Sequence, residues 1–488
     1  MFLCPEREDQ TSKQPVPGQH IEQEKLEMSD NLQELVERAR KAQAVVEFWT
    51  QEQVDEMVAA VGWQVYKKEN AEACAKLAVE ETRMGIYEHK VLKHQKKTLG
   101  TLRDLHGVKS VGVIEEDPQK GLIKIAKPVG VVGALTPVTN ASSTICCNGL
   151  SILKGRNAVI FAPHPSAKKT AALTVSFMRT GLRQVGAPED LVQVLQEPSI
   201  ETTGQLMKMV DLIVATGGAA MVKAAYSSGT PAYGVGAGNS VTVVDETADI
   251  ADAAKKIFLS KTFDNATSCS TENSAVIYEG IFDAMVAELQ KHGGYLCSAE
   301  DKAKLKAIMW PDGEHLNKNI VGQPAKKIAD MAGLNTPQNT TFLMVLGEAI
   351  GPADPFSGEK LSPVITLWKY REFDEAIRYV QDLTAYSGKG HSCGIHSFNE
   401  DHILELGMKA RVSRMMVRQP QCYANSGDYV NGMPFSLTLG CGTWGGNIVS
   451  ENITWKHFIN TTWIAKPIEP VIPDEKVIFG KVWEKYGK

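Results

Sequence analysis

The sequence predicts an α/β protein with two domains, on the basis of three observations. The chain has 488 residues, 43% of them apolar, and single hydrophobic cores stop growing at roughly 250–300 residues, so more than one core is expected. Short apolar runs at 130–135, 158–162 and 212–215 alternate with helix-compatible segments, which is typical of a parallel sheet covered by helices on both faces. The pattern restarts at residues 274–278, which indicates a second α/β domain.

The N-terminal region is predicted to be helical after a disordered tail. Residues 1–27 are polar, contain three prolines and show no apolar period, so they are expected to be disordered. Ser29 is a suitable N-cap for an amphipathic helix, and further helices are expected to about residue 105. Residues 111–114 and 122–126 predict a hairpin, because turn residues lie between them.

Further strands are predicted along the rest of the chain. Residues 241–244 predict a strand that leads through a helix to the loop around Cys269. Later strand-like runs lie at 341–345, 364–368 and 415–417. Residues 453–464 alternate large apolar with polar side chains and predict an edge strand that another subunit completes, so a homodimer or homotetramer is expected.

Charge and composition favour a small-molecule partner. The formal net charge is -5 and the basic residues are mixed with acidic ones, so no nucleic-acid or lipid surface is indicated. No apolar run approaches the roughly 20 residues of a membrane span. Charged residues occupy the N-terminus where a signal peptide carries its apolar core, and a cytoplasmic location is expected.

Cysteine and histidine spacing argues against a disulfide framework or a metal enzyme. The nine cysteines are an odd number and contain no C-x-x-C pair, and the eleven histidines form no H-x-x-x-H or H-x-H pair. Buried thiols in a reducing compartment usually act as small apolar side chains. One or two cysteines at most are therefore expected to carry chemistry.

Four turns follow predicted strands and are candidate phosphate sites. Glycine turns and helix N-termini beyond the carboxyl ends of parallel strands offer free N–H groups to a phosphate. One such turn is weak support, whereas their order and content carry more weight. They lie at 136–140, 162–165, 215–218 and 234–239.

Several motifs together resemble the CoA-acylating branch of the aldehyde dehydrogenase superfamily. They are Phe-Asp-Asn-Ala-Thr-Ser-Cys at 263–269, Gly-Val-Gly-Ala-Gly-Asn at 234–239, Val-Lys-Ala-Ala-Tyr-Ser-Ser-Gly at 222–229, Gly-Gly-Tyr-Leu at 293–296, Glu-Lys-Leu-Ser-Pro at 359–363, Gly-His at 390–391, Leu-Gly-Cys-Gly-Thr-Trp-Gly-Gly-Asn at 439–447 and Ser-Glu-Asn at 450–452. The resemblance implies a Rossmann-type cofactor domain at 28–107 and 129–256, a catalytic domain at 257–445, and an oligomerisation hairpin and C-terminal arm at 108–128 and 446–488.

The resemblance also implies a covalent mechanism. Cys269 would be the nucleophile that adds to an aldehyde carbonyl. The side-chain amide of Asn140 and the backbone N–H of Cys269 would bind the oxyanion, and hydride transfer to the nicotinamide would leave a thioester. A helix cap is the structural alternative for Asn140.

The cofactor would be bound at the turns and by Glu359, which matches the family carboxylate on the nicotinamide ribose and could otherwise be a surface charge. Lys168 and Lys169, with no acid between residues 161 and 169, favour NADP over NAD, although both could be a solvated helix face. The remaining predicted cofactor residues are Thr136, Pro163, His164, Thr216, Gly217, Gly218 and Gly238.

The acyl acceptor is expected to be coenzyme A instead of water. Hydrolytic relatives carry a glutamate in a Glu-Leu-Gly-Gly-Lys type motif, but residues 235–239 read Val-Gly-Ala-Gly-Asn here. General-base help is typically worth roughly 10²–10⁴-fold, so without it the thioester should persist until a thiol arrives. Ping-pong kinetics follows. His391 is a tentative CoA contact, or a hydrogen-bonded loop residue.

The predicted substrate pocket suits an aldehyde with a terminal anion. An arginine fork with amides and hydroxyls can bind a carboxylate or sulfonate by charge-assisted hydrogen bonds, although Arg418 could instead pair with Asp428. The overall sequence, including Met-Val-Arg-Gln-Pro-Gln at 416–421 and Thr-Trp-Lys-His at 454–457, is most similar to family members that convert sulfoacetaldehyde to sulfoacetyl-CoA. Succinate semialdehyde is the close alternative, because Val-Glu-Glu-Thr-Arg-Met-Gly at 79–85 is also similar to members that use it, and acetaldehyde or propanal is the third. The predicted substrate residues are Ser268, Ser270, Arg418, Gln421 and Tyr423.

Two readings from other classes remain open. A non-redox cysteine acyltransferase would share the nucleophile and the CoA thiol but need no nicotinamide site. A catalytically silent binding protein could use the same fold, since fold does not determine function. Intact Cys269, Asn140 and Glu359 argue against the silent protein.

Overall fold

The computed structural model describes the backbone from residue 17 to residue 488 and the side chains from residue 32. The helices are α1 (Pro17–Val46), α2 (Gln51–Tyr66), α3 (Lys68–Thr82), α4 (Tyr87–Leu105), α5 (Ser143–Lys154), α6 (Lys168–Gln184), α7 (Ile200–Met209), α8 (Ala219–Tyr226), α9 (Ile250–Thr262), α10 (Phe282–Lys291), α11 (Ala299–Met309), α12 (Ala325–Met331), α13 (Phe373–Tyr386), α14 (Glu400–Lys409), α15 (Gln421–Ala424) and α16 (Glu475–Tyr486). The strands are β1 (Gly112–Asp117), β2 (Leu122–Pro128), β3 (Val131–Thr136), β4 (Ala158–Pro163), β5 (Val192–Val194), β6 (Leu212–Thr216), β7 (Ala232–Val235), β8 (Ser240–Val244), β9 (Glu272–Tyr278), β10 (Gly294–Leu296), β11 (Phe342–Leu346), β12 (Val364–Tyr370), β13 (Cys393–His396), β14 (Met415–Val417) and β15 (Ile459–Ala465).

The first helix differs from the prediction at its start. It begins at Pro17, so Ser29 lies inside the helix and does not cap it. Residues 17–27, expected in a disordered tail, belong to this helix, and the rest of the predicted tail lies outside the described residues. The start of this helix was predicted wrongly because residues 17–27 are polar, and a polar helix shows no apolar periodicity.

A five-stranded parallel sheet ordered β5-β4-β3-β6-β7 forms the first core. Every residue of β3 and β4 is buried, because helices cover both faces. The three apolar runs predicted as strands are β3, β4 and β6, which confirms the parallel sheet.

A seven-stranded parallel sheet ordered β10-β11-β12-β9-β8-β13-β14 forms the second core. The strand predicted at residues 241–244 is β8, which pairs with β9 and β13 and so belongs to this sheet. The chain therefore crosses between the sheets in residues 236–239, immediately before the strand that leads to Cys269. The proposed domain division itself stays a prediction.

The predicted hairpin is confirmed as β1 and β2, and β15 pairs antiparallel with β2 to form a three-stranded sheet. Most residues of β15 are exposed. Among the described residues, no helix is both long enough and apolar enough to cross a membrane.

Candidate active site

The four predicted turns meet at one cleft between the two sheets. Its empty volume is about 1200 Å³, open solvent at its mouth included. β3, β4, β6 and β7 end at its edge, as expected for a ligand site beyond the carboxyl ends of parallel strands. The cleft is lined by the predicted residues Thr136, Asn140, Pro163, His164, Thr216, Gly217, Gly218, Cys269 and Glu359.

Several features of the cleft fit a dinucleotide. Gly217 and Gly218 immediately precede α8, so N–H groups at a helix N-terminus face the cleft. A Cβ at Gly218 or Gly236 would meet no protein atom within 4 Å, because both border open space. The buried hydroxyl of Thr136 has no partner among the described residues, which leaves a donor for a ligand.

Gly238 serves the nucleophile loop instead of lining the cleft. A Cβ there would lie 2.0 Å from the carbonyl oxygen of Cys269, so only glycine fits. Its N–H donates to Oε1 of Glu359 at 3.2 Å. Burial raises the pKa of the Glu359 carboxyl to about 8, against the effect of this hydrogen bond.

The loop before the nucleophile is held in an unusual conformation. Asp264, Asn265 and Ala266 have φ values of 53°, 51° and 60°, in the left-handed region that non-glycine residues rarely adopt. Such strain persists only where the surroundings impose it, and it concentrates at functional sites. Here the side-chain amide of Asn265 donates to the Gly322 carbonyl at 3.0 Å.

Asp264 is the principal anchor of this loop. Its carboxylate accepts from the Ile86 N–H at 2.8 Å and from the ammonium groups of Lys93 at 2.5 Å and Lys90 at 3.1 Å. Burial alone would raise the pKa of Asp264, but the two lysine charges outweigh it and lower the pKa to about 2. The loop is therefore fixed by a charged group that stays ionised at neutral pH.

The nucleophile contacts a histidine. The Sγ of Cys269 lies 3.2 Å from Nε2 of His391, whose Nδ1 lies 2.8 Å from the hydroxyl of Ser392. Burial, reinforced by the charge of Glu359, raises the pKa of the thiol to about 12. Burial and then the charge of Arg414 lower the pKa of His391 to about 3, so the imidazole is neutral at pH 7.

A neutral imidazole in contact with a thiol can accept the thiol proton directly. If Nδ1 carries the ring proton and donates it to Ser392, Nε2 is free to accept the thiol proton. The buried Arg414 charge acts in the same direction by lowering the pKa of the Cys269 thiol. Gly390 has a φ of 75°, and a Cβ there would lie 1.8 Å from the Cys441 carbonyl, so glycine is required beside the histidine.

Asn140 is free to bind an oxyanion. Its Nδ2 makes one long contact of 3.4 Å to the Thr139 hydroxyl, and its buried Oδ1 has no partner among the described residues. Its backbone carbonyl accepts the Thr144 N–H, but its side chain caps no helix. The N–H of Cys269 donates to no acceptor in the described part of the chain, which leaves two donors for one oxygen.

A second, much smaller cavity meets the cleft at Asn140 and Leu437, which line both. Of the predicted substrate residues, Ser268 and Tyr423 line this cavity. Its remaining walls come from α4, from Phe263 and from residues 422–426, and α4 contributes Leu92, Lys93, Lys96 and Lys97.

Three predicted substrate residues line neither cavity. The Arg418 guanidinium donates to the Ser397 carbonyl and lies 4.5 Å from the centroid of Phe398, so it is not paired with Asp428 either. Gln421 is buried and donates to the Val241 carbonyl, and Ser270 is also buried. Sequence reasoning could not tell which way these side chains point.

Lys168 lies beside the end of the cleft that His164 lines, where the adenosine is predicted to bind, but Lys168 does not line the cleft itself. Its ammonium group pairs with Glu197 at 2.5 Å, and the next residue, Pro198, borders the cleft. A carboxylate therefore lies near the predicted ribose position. The stretch between residues 161 and 169 does not contain it, because Glu197 follows a different strand.

The contacts that sequence reasoning missed are the thiol contact of His391 and the lysines of α4. Lysines at 90, 93, 96 and 97 recur at helical spacing and could have indicated one charged face.

One group of side chains that could bind a metal ion lies outside the cleft. Ligand atoms of Asp245, Glu246 and His402 lie within 4.8 Å of one another. Asp245 already accepts hydrogen bonds from Thr247, Ser397 and His402, so it is satisfied as a structural group.

Comparison with known proteins places the chain in a family. Residues 3–304 match the model described as "Aldehyde dehydrogenase family". The chain is 53% identical to a sulfoacetaldehyde dehydrogenase of an Acholeplasma species, covering 91% of this chain and 93% of the relative. It is 50% identical to a sulfoacetaldehyde dehydrogenase (acylating) of Bilophila wadsworthia, covering 93% and 99%. An acetylating aldehyde dehydrogenase from Geobacillus thermoglucosidasius superposes with a TM-score of 0.89 at 37% identity, covering 92% and 99%. The chain, with its aldehyde dehydrogenase fold, belongs to the aldehyde dehydrogenase family.

Proposed function

We propose that the protein oxidises an aldehyde with NAD(P)+ and transfers the acyl group from Cys269 to coenzyme A. The observation that carries the proposal is the 3.2 Å contact between the Cys269 sulfur, which lines the cleft, and a neutral imidazole. The cleft has the size and the strand-end N–H groups that a dinucleotide needs, and the smaller cavity begins beside it at Ser268 and Asn140. A cysteine acyltransferase would not need the first of these.

The first step uses the cysteine–histidine pair. The Cys269 thiol transfers its proton to Nε2 of His391 as the sulfur bonds to the aldehyde carbon. The carbonyl oxygen becomes an oxyanion, and the Asn140 amide and the Cys269 N–H donate to it. A nicotinamide held in the cleft would supply the hydride acceptor, and loss of hydride from the same carbon would leave a thioester on Cys269.

The same groups then support thiolysis. Once His391 has released the first proton to solvent, it can accept the thiol proton of coenzyme A as that sulfur attacks the thioester, and it returns this proton to the Cys269 sulfur as that sulfur leaves. Hydrolysis would need a carboxylate over the thioester. Among the described residues that line the cleft, Glu359 is the only carboxylate, and it is held by Gly238.

NADP+ is the proposed cofactor, with NAD+ the alternative. Lys168 can contact a 2′-phosphate if it separates from Glu197, whereas Glu197 can accept hydrogen bonds from ribose hydroxyls. The ratio of kcat/KM for the two nucleotides decides between these alternatives. Glu197→Gln should shift that ratio towards NADP+.

Sulfoacetaldehyde, giving sulfoacetyl-CoA, is the proposed substrate. The similarity to relatives that bear this substrate in their names, over more than nine-tenths of this chain, supports it. Succinate semialdehyde is the second candidate and propanal the third. A cytoplasmic location and a homodimer or homotetramer, with the exposed edge of β15 as a contact, remain predictions.

The decisive experiment is pre-steady-state cofactor reduction with and without coenzyme A. Without it, we expect one equivalent of NAD(P)H per Cys269 followed by a stop; with it, continuous turnover. The aldehydes are sulfoacetaldehyde, succinate semialdehyde and propanal, each with NAD+ and NADP+. Continuous turnover without coenzyme A would show hydrolysis, and thioester exchange without cofactor reduction would show a non-redox acyltransferase.

A further inference from the structure

The cavity on the substrate side of Cys269 carries an excess of positive charge. On α4, Lys90 and Lys93 share Asp264, and Lys96 pairs with Asp428 at 2.7 Å. Four ammonium groups, counting Lys97, thus meet two carboxylates. The nearby Arg103 and Asp104 pair with each other and do not change this difference.

Lys97 contributes charge without a free donor. Its ammonium donates to the carbonyls of Tyr423, Ser426 and Gly427 at 3.1, 3.3 and 2.6 Å, which uses all three N–H groups. Burial and then the charge of Lys96 lower the pKa of Lys97 to about 7. The cavity therefore carries one to two excess positive charges near neutral pH, and a bound anion would favour the protonated form of Lys97.

Lys93 and Lys96 retain N–H donors and belong to the residues that line the cavity. Each makes one hydrogen bond to a carboxylate among the described residues, and an ammonium group has three N–H donors. Both line the cavity, and the Lys96 ammonium lies 5.1 Å from the ring centroid of Tyr423, another lining residue. Buried charge of one sign with free donors is costly until an opposite charge arrives.

We propose that Lys93 and Lys96 bind the anionic end of the aldehyde and, with the charge of Lys97, determine the enzyme's preference for an anionic substrate. This inference rests on the proposed function and names its substrate class. Ammonium groups act as point charges from several directions, which suits the three oxygens of a sulfonate better than a planar carboxylate, for which an arginine fork is the usual partner.

The chain offers a matched control on the same helix. Lys90 and Lys93 both contact Asp264 and both are 7% exposed, but only Lys93 lines the cavity. Lys93→Met and Lys90→Met each remove one ammonium group from that carboxylate. Lys96→Gln provides a third variant at a side chain that is 20% exposed, so it disturbs the fold least.

The experiment compares kcat/KM for sulfoacetaldehyde and propanal in each variant, with cofactor and coenzyme A. Lys96→Gln and Lys93→Met should lower the sulfoacetaldehyde-to-propanal ratio by on the order of 10- to 100-fold, since hydrogen bonds to charged groups are lost. Lys90→Met should change the ratio by less than about 3-fold. The proposal is overturned if Lys96→Gln changes the sulfoacetaldehyde-to-propanal ratio by less than about 3-fold. It is also overturned if Lys90→Met lowers this ratio as much as Lys93→Met does.

A second measurement does not depend on turnover. Calorimetric titration with ethanesulfonate should give an affinity that falls in Lys96→Gln by a similar factor, whereas the uncharged ethyl methyl sulfone should bind the wild type much more weakly. Equal binding of the two probes would overturn the inference. Failure of the wild type to reduce cofactor with any aldehyde would instead overturn the proposed function.

Discussion

The two cavities that meet at Asn140 offer different groups to a ligand. The cleft, which is proposed to bind the cofactor, offers backbone N–H groups at strand ends, small residues and a helix N-terminus, with one carboxylate. The second cavity, which is proposed to bind the aldehyde, has charged side chains from one helix face, each tied to a carboxylate or a carbonyl. Backbone geometry is shared by any sequence with this fold, whereas side-chain charge varies freely, so specificity for the aldehyde is expected in the second cavity.

The largest effect is expected at the proposed nucleophile. Cys269→Ala should lower kcat by at least about 10⁴-fold because Cys269 is the only cysteine among the described residues that line the cleft. Cofactor affinity, measured by fluorescence titration, should change little. Retention of more than a few per cent of the activity would show that the thioester forms elsewhere.

The histidine beside the nucleophile should control the pH profile. The pKa of His391 is lowered to about 3 and that of the thiol is raised to about 12, so the pair keeps one proton between these values. With propanal, this pair by itself should therefore keep kcat/KM nearly flat from pH 6 to 9. In His391→Asn the proton must go to solvent, so activity at pH 7 should fall by roughly 10²–10⁴-fold and then rise about tenfold per pH unit.

The titration of Glu359 is the control for that profile. The pKa of Glu359, about 8, lies inside the range from pH 6 to 9, and the ionised carboxylate disfavours the thiolate of Cys269. The profile should therefore also be recorded in a Glu359→Gln background. If kcat/KM of the Glu359→Gln variant, with His391 intact, rises tenfold per pH unit, His391 does not accept the proton.

The oxyanion site belongs to both cavities and should show the next largest effect. Asn140→Ala should lower kcat by roughly 10²–10³-fold with a smaller change in KM, because the amide donates mainly in the transition state. Asn140→Asp, which keeps the size but replaces the donor with an acceptor, should lose at least as much. Normal activity in the aspartate variant would exclude the donor role.

The smallest effect should come from Arg418, which lies outside both cavities. Arg418→Ala removes a contact to the Ser397 carbonyl and a stacking contact to Phe398. Its sulfoacetaldehyde-to-propanal ratio should stay within about 3-fold of wild type, as for most side chains away from a site. A selective loss for sulfoacetaldehyde would return the anion site to this arginine and sharpen the comparison with Lys96.

Much of the fold was predictable because buried parallel strands appear as apolar runs. β3, β4, β6, β9, β11, β12 and β14 were all expected near their observed positions. Short strands such as β5 and β10 were missed, since three residues carry too little pattern. The strand β8 was also expected, but an apolar run does not indicate which sheet it pairs with, and its place in the second sheet came only from the structure.

The sequence by itself determined the candidate nucleophile, the four turns and the parallel sheets, because these depend on local residue order and on strand ends that converge. Only the tertiary structure decided which side chains face the substrate. His391 meets Cys269 across more than a hundred residues, and α4 meets the loop after β14 across more than three hundred. Contacts at that separation depend on helix rotation and sheet order, which no local pattern records.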